Sequence, residues 1–203
     1  MNHTKINFEK LTKQNFNEHS LDTFVRHQDV TQCWRNVDGE WKLLPIQFTE
    51  EWDLEKCRSI AKNITENLDE SIVGYGAFED GIVAGYITIG TCFLGSRKQY
   101  VQLVEYEVSE PYRGKKIGKK LFELACEEAR KMNAEKLYIS AHSSKESQAA
   151  YKALGCVHAE EINAKLAEEE PCDVQMEYKL SVSDKENSEK MEDKYDYSEA
   201  GAV

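Results

Sequence analysis

Val108-Ser-Glu-Pro-Tyr-Arg-Gly-Lys-Lys-Ile-Gly-Lys-Lys-Leu121 is the stretch on which the reading of this chain turns. It leaves an apolar, β-prone segment, crosses a short basic turn and enters an amphipathic helix. Gly114 and Gly118 let the backbone approach a ligand closely, and no side chain blocks the first-turn N–H groups. Those groups lie at the positive end of the helix dipole, so the segment is suited to hold an anion. Lys115, Lys116 and Lys119 add positive charge there, in a chain whose net charge is −11. A local reversal of sign at a helix start predicts a phosphate site.

Working outward, the spacing predicts a first edge strand over Ile6 to Leu11 and a helix from Asn15 to Gln28, with Phe16, Leu21, Phe24 and Val25 on its apolar face. Val30 to Phe48 reads as irregular, with a turn at Asp38-Gly39. A second helix is expected from about Asp53 to Leu68, capped by Thr49 or Asp53. Ile72 to Phe78 and Ile82 to Ile89 flank Glu79-Asp80-Gly81, a hairpin signal, and Tyr100 to Val108 continues the meander. After the basic turn, Ile117, Leu121, Leu124, Ala125, Ala129 and Met132 give one apolar helix face ending near Asn133. There follow a strand at Lys136–Ala141, a helix at Lys145–Leu154 stopped by Gly155, and strands at Cys156–Ala159 and Val174–Leu180. A polar, partly helical connection fills Glu161 to Glu169. This order predicts an α+β layer fold, one domain whose central mixed, mostly antiparallel sheet has helices on both faces. The crossover through 114–132 makes the strands at 100–108 and 136–141 parallel.

Composition narrows the function classes. The 40% apolar content and three prolines fit one compact domain over residues 1–180. Residues 181–203 hold seven acids against three lysines with almost no aliphatic content, so they read as an acidic flexible tail. The tail carries −4 of the net charge, leaving −7 on the first 180 residues. That balance argues against nucleic acid as a partner and mildly favours cationic small molecules. No run of 18 apolar residues and no secretory leader is visible, so neither a membrane span nor export is expected. The six scattered cysteines (Cys33, Cys57, Cys92, Cys126, Cys156 and Cys172) lack any C-x-x-C pair and read as free buried thiols of a cytoplasmic protein, with no metal expected.

Known phosphate loops discriminate further. A P-loop would need its glycines farther apart and a following hydroxyl, and a dinucleotide fingerprint would need a third glycine. What remains is Arg-x-x-x-x-Gly at a helix start after a β-meander. This resembles the acetyl-CoA pyrophosphate loop of the GNAT superfamily of N-acetyltransferases, which reads Arg or Gln, two residues, Gly, one residue, then Gly or Ala. Arg113 and Gly118 match its first and sixth positions, whereas Lys116 stands where the family usually has glycine. Ordinary helical dihedrals are expected at Lys116, because a helix N-terminus does not itself require positive φ. A second block, from Leu137 to Cys156, is similar to the family's strand, Asn and helix ending Tyr-x-x-x-Gly-Phe. Tyr151 and Gly155 match, Ser144 takes the Asn position and Cys156 replaces Phe. The resemblance spans roughly residues 72–180, and residues 1–70 follow only in element order.

The resemblance implies transfer of an acetyl group from acetyl-CoA, as cosubstrate, to an amine by direct attack in a ternary complex. It places the coenzyme on Arg113, Gly114, Lys115, Lys116, Ile117, Gly118, Lys119 and Ser144, and the pantetheine arm on backbone groups of Tyr106 and Val108. It makes Tyr151 the proton donor to the departing sulfur, a neutral donor at pH 7. Glu105 and Glu107 share one strand face, and either could be the base; a carboxylate among apolar neighbours has a raised pKa. A family bulge on this strand would shift that facing by one residue.

His142 reads as satisfied by its own loop, with a proton relay as the sharper alternative. Trp34, Trp41 and Trp52 read as packing residues, or as the walls of an amine pocket. Asp173, Gln175 and Glu177 alternate along one polar strand face, and Glu160, Glu161 and Glu168–Glu170 form a solvated run able to attract a polyamine. The acceptor stays open between a small-molecule amine and a protein amine, and a homodimer is implied by relatives that pair through late strands. A non-catalytic acyl-CoA sensor and a longer-chain acyltransferase, using space beside Ala149-Ala150, are the rival functions.

Overall fold

The computed structural model describes residues 5–180, so the acidic segment 181–203 lies outside the described residues. Nine strands and four helices follow one another as β1 (Asn7–Lys10), β2 (His27–Val37), β3 (Glu40–Glu51), α1 (Leu54–Asn67), β4 (Ile72–Glu79), β5 (Ile82–Leu94) and β6 (Tyr100–Val108), then α2 (Ile117–Lys131), β7 (Lys136–Ala141), α3 (Lys145–Ala153), β8 (Val157–His158), α4 (Ala164–Glu169) and β9 (Val174–Lys179). Seven strands form one sheet in the order β1-β4-β5-β6-β7-β9-β8, and β2 with β3 forms a separate hairpin. Among the described residues only the β6–β7 strand pair is parallel, as the crossover through α2 requires. The architecture is a single α+β domain built on a mixed, mostly antiparallel sheet.

The helices occupy both faces because each buries one stripe. α2 sends Ile117, Leu121, Ala125 and Ala129 into a core with Ile87, Val101 and Leu137. On the opposite face α1 buries Cys57, Ala61 and Ile64 against Tyr86, Val83 and the loop residues Phe16, Leu21 and Phe24. Asp53 starts α1 by accepting from the Lys56 N–H at 2.7 Å. Ser144 caps α3, and Gly155 ends it at φ +96°. The β2–β3 and β4–β5 hairpins turn on Asp-Gly pairs, Asp38-Gly39 and Asp80-Gly81, whose positive φ at each residue matches the twist of the flanking strands.

Two sequence expectations fail in the N-terminal third. No helix forms over 15–28; the segment is a series of turns that leads into β2 at His27. Asn15 and Asn17 direct side-chain oxygens to the N–H groups of Thr12 and His19, at 2.8 and 2.9 Å, and this local bonding outcompetes the helix. Phe16, Leu21 and Phe24 are buried nonetheless, as anchors of the turns, whereas Val25 is exposed. Residues 30–48, read as irregular, belong instead to the long β2–β3 hairpin. Its alternation is broken by a register shift between Val30 and Gln32, with Pro45 opposite Gln32. A two-stranded sheet tolerates that proline because each strand has an unpaired outer edge.

Further differences concern polar groups. The face of Gln175 and Glu177 is buried: Tyr138 and Tyr100 donate to them at 2.8 Å and 2.5 Å, and Lys136 bridges Glu177 and Glu160 at 2.6 Å each. Glu161 is not part of a loose charge run, since it accepts from the Ser96 N–H at 2.6 Å and from Gln99 at 2.9 Å. All six cysteines are free thiols, but Cys92 and Cys172 are exposed rather than buried. Among the described residues no helix is long and apolar enough to cross a membrane.

Candidate active site

The parallel strands β6 and β7 pair only over Tyr100–Leu103 and Lys136–Ile139. Beyond Leu103, β6 stays with β5 while β7 follows β9 to Ala141, so the two strands diverge and a gap opens in the sheet. The Ser109 N–H donates to the Ala84 carbonyl at 3.0 Å, which sets the parity of the β5–β6 ladder. Backbone groups of Glu105 and Glu107 therefore face β5, and those of Tyr106 and Val108 face the gap, where no strand pairs with them. These are the two residues expected to offer backbone to a pantetheine arm. A cleft of about 440 Å³ opens here. Tyr106, Glu107 and Val108 line it from β6, Tyr151 and Ser147 from α3, Gln28 from the start of β2 and Arg26 from the turn just before it.

The basic turn lies beside the cleft, with Arg113 in both. Gly114 sits at φ +77°, a conformation only glycine adopts without strain. Lys116 departs from its expected helical dihedrals: it is left-handed, at φ +63° and ψ +10°. This left-handed conformation is the one glycine adopts most readily, and glycine is what the family pattern has at this position. α2 begins without a side-chain cap and without an acid in its first turn. Lys116 and Lys119 have no ion-pair partner among the described residues, and Lys115 lies 4.6 Å from the Tyr112 ring centre. Gly118 is required by packing, since a Cβ there would stand 2.7 Å from the Tyr106 hydroxyl. Ile117 is buried and can offer only backbone. The Arg113 guanidinium donates to the Val108 carbonyl at 3.2 Å and the His27 carbonyl at 2.7 Å, tying the turn to the hairpin.

The two candidate bases separate here. β6 bulges at Val104, where Thr88 pairs with Glu105 and Ile89 with Leu103, so the irregularity precedes both carboxylates and leaves them on one face. Glu107 lines the cleft, and Glu105 is not among the residues that line it. Burial and the Glu107 charge push Glu105 up to about 7, and Lys56 opposes them. Glu107 is also raised, by burial above all, against the pull of Arg26. The Nε of Arg26 stands 3.0 Å from Glu107 as an ion pair whose N–H is not aimed along the contact, and its Nη2 is 2.8 Å from Glu50. Sequence reasoning missed Arg26 and Glu50, because one fell in a misassigned helix and the other beyond a misassigned loop. The pointer available was a charged residue beside Phe24 and Val25.

Tyr151 lines the cleft with its ring 6.1 Å from that of Tyr106. Burial, then Glu107, holds its pKa far above the ordinary tyrosine value, so it stays a neutral donor, and its hydroxyl has no hydrogen-bond partner among the described residues. Ser144 is fully buried and saturated, capping the Ser147 N–H at 3.2 Å and accepting from Gln28 at 3.0 Å. His142 lines the cleft, accepts from the Ser144 N–H at 3.4 Å and lies 3.9 Å from Glu50. The tryptophans pack elsewhere: Trp34 under Lys152, Trp41 on His158, Trp52 against Phe24 and Arg26. Among the described residues no cluster of His, Cys, Asp or Glu could hold a metal ion.

Comparison with solved structures bears on the fold. A nourseothricin acetyltransferase superposes with a TM-score of 0.65 at 15% identity, covering 87% of this chain and 99% of that one. A Bacillus anthracis protein described as a streptothricin acetyltransferase, in complex with acetyl coenzyme A, gives 0.62 at 13%, covering 88% and 99%. The PaiA N-acetyltransferase of Thermoplasma acidophilum, in complex with coenzyme A, gives 0.52 at 18%, covering 86% and 99%. No curated protein matches the sequence. The model of the acetyltransferase (GNAT) family matches residues 35–156, from the tip of the hairpin and β3 through the diverging strands and the basic turn to Tyr151. The chain belongs to the GNAT family of acetyltransferases.

Proposed function

We propose that this cleft passes an acetyl group from acetyl-CoA to a primary amine of a cationic small molecule, by direct attack in a ternary complex. The observation that carries the reading is that Glu107 and Tyr151 line one cleft beside the open backbone edge of β6. The residues present fit the coenzyme. The uncapped start of α2, with Arg113, Gly114, Lys115, Lys116, Ile117, Gly118 and Lys119, suits a pyrophosphate, and the edge at Tyr106 and Val108 suits amides. Bound there, the thioester supplies an electrophilic carbonyl and a thiolate leaving group. Glu107 takes the proton that the attacking amine must lose as its nitrogen bonds to the carbonyl carbon. Tyr151 gives its hydroxyl proton to the sulfur as the carbon–sulfur bond breaks, and regains one from solvent. Ser144 acts by capping α3 and so fixing the helix that carries Tyr151.

The acceptor end is acidic. Glu50, Glu107, Glu146 and Asp173 gather near His142, with Arg26 as the buried counter-charge, which favours a cation. Two proteins of similar fold are described as acetylating antibiotics, and this supports a small-molecule acceptor. The catalytic domain is residues 1–180 on this reading. Thiol release from acetyl-CoA, measured against antibiotics, polyamines, amino acids and peptide N-termini, tests it. Release with cationic small amines is expected. Release with peptides alone would move the acceptor to protein amines, and coenzyme binding without any release would mark a non-catalytic sensor.

A further inference from the structure

We propose that Arg26 is the positioning residue of this reaction: its guanidinium, shared with Glu50 of the hairpin, holds Glu107 at the cleft wall in its ionised, proton-accepting form. This rests on the reading of Glu107 as the base. Arg26 is 5% exposed, and a buried guanidinium persists only when charged partners replace water. Its partners come from different elements, Glu50 on β3 and Glu107 on β6, with the Trp52 ring centre 5.8 Å from the guanidinium carbon. The backbone is fastened independently of Glu107. The Val25 N–H donates to Ser109 Oγ and the Glu110 N–H to the Val25 carbonyl, both at 2.9 Å, and the Trp52 N–H donates to the Arg26 carbonyl at 3.0 Å. The cation is thus set in place before Glu107 meets it, which is what preorganisation requires. Since its Nε–H is not aimed at Glu107 and its Nη1 has no partner, Arg26 acts on that carboxylate chiefly through charge.

Charges reach Glu107 from every side. Arg26 and Arg113 favour its ionised form, and Glu50 and Glu105 oppose it. Tyr86, opposite it on β5, and Tyr151 of α3 feel its charge as neutral hydroxyls, as does Tyr106, whose ring turns to the other face of β6 against Phe122. His142 is the other group that touches Glu50, and Lys56 reaches only Glu105. Arg26 is shared, so variants on its two sides must act in opposite senses. Arg26→Gln leaves Glu107 buried without its main counter-charge, raising its pKa. Glu50→Gln removes a like charge and leaves Arg26 to Glu107 alone, lowering it.

The test is the pH profile of kcat/KM for the wild-type chain, Arg26→Gln, Arg26→Lys and Glu50→Gln, the last also in a His142→Gln background. In Arg26→Gln the acid limb is expected to move up by about one pH unit or more. Turnover at pH 7 should fall about tenfold in step, with coenzyme affinity unchanged. Arg26→Lys, which keeps the charge and loses the fork, should restore most of the profile even if Arg26→Gln does not fold. Glu50→Gln should move the limb down with His142 present or absent. Limbs that stay put, or that all move the same way, would overturn the role of Arg26. Glu107→Gln is read separately: a variant that keeps wild-type turnover and acid limb would overturn the base itself, whereas an inactive Glu107→Gln beside unmoved Arg26 limbs would overturn only the positioning.

Discussion

The two ends of the cleft are built from different materials. At the proposed coenzyme end the chain offers backbone: the uncapped start of α2, a left-handed Gly114 and the edge of β6 at Tyr106 and Val108, which no strand covers. At the proposed acceptor end it offers side chains drawn from distant segments: Arg26 paired with Glu50 and Glu107, and His142 3.9 Å from Glu50. A backbone site serves a ligand whose shape never changes, and needs only a few residue types in a fixed local order. A side-chain site is assembled by tertiary packing and is free to differ between relatives. Substitutions at the acceptor end should therefore alter turnover and its pH dependence, and those in the basic turn should alter coenzyme affinity and local stability.

The largest effect belongs to Glu107→Gln, which removes the proposed base while keeping its shape. Turnover should fall by about a hundredfold, with the coenzyme dissociation constant, measured by calorimetry, unchanged. An equal loss in both would mean the two ends are not independent. Glu105→Gln should act on stability instead. Glu105 is raised from 4.5 to about 7 in the fold, so the native chain keeps a proton that the unfolded chain releases. Stability consequently falls as pH rises between those values, and the deficit is complete above pH 7. Glutamine removes it. Urea unfolding should show a gain of roughly 2 kcal/mol at pH 8 and none at pH 4. Equal gains at both pH values would assign the effect to packing rather than charge.

Tyr151→Phe comes next, with turnover lower by at least about tenfold and coenzyme binding nearly intact. Because the Tyr151 pKa lies far above the assay range, no basic limb should be lost along with the activity. An unchanged turnover would leave protonation of the sulfur to water and remove Tyr151 from the mechanism.

What the sequence made legible follows the same division. The basic turn, the crossover helix and the Tyr151–Gly155 pair were readable because their signals are local: glycine spacing, helical periodicity and a cap. The parallel β6–β7 pair followed from chain connectivity alone. The hairpin was not readable, since Pro45 and the shift near Gln32 break its alternation. The turns at 12–24 carry apolar residues at helix-like spacing, and their asparagines decide the outcome through bonds to nearby backbone. Arg26 and Glu50 lie 24 residues apart in sequence, and no local pattern announces an ion pair of that kind. The facing of Glu105 and Glu107 depended on the bulge, which the structure places at Val104 ahead of both, and their ranking on the cleft, which only Glu107 of the two lines.

Lys116 carries the smallest effect, and it tests whether backbone or charge matters at the coenzyme end. A left-handed lysine is strained by about 1 kcal/mol relative to glycine, and nothing in its surroundings compensates through a hydrogen-bonded side chain. Lys116→Gly removes both strain and charge, whereas Lys116→Ala removes the charge and keeps the strain. The difference between the two variants therefore isolates the backbone. Lys116→Gly should be the more stable of the pair by about 1 kcal/mol in urea unfolding, reduced somewhat by the added freedom of its unfolded chain. Both should weaken coenzyme binding by less than about fivefold, an effect that shrinks at high salt as screening removes the charge contribution. If the alanine variant binds the coenzyme less tightly than the glycine variant at every salt concentration, the turn must flex to seat the pyrophosphate, and lysine at this position slows or weakens that closure. Identical binding by the two would make charge the whole contribution of Lys116 and leave its left-handed backbone a matter of stability alone.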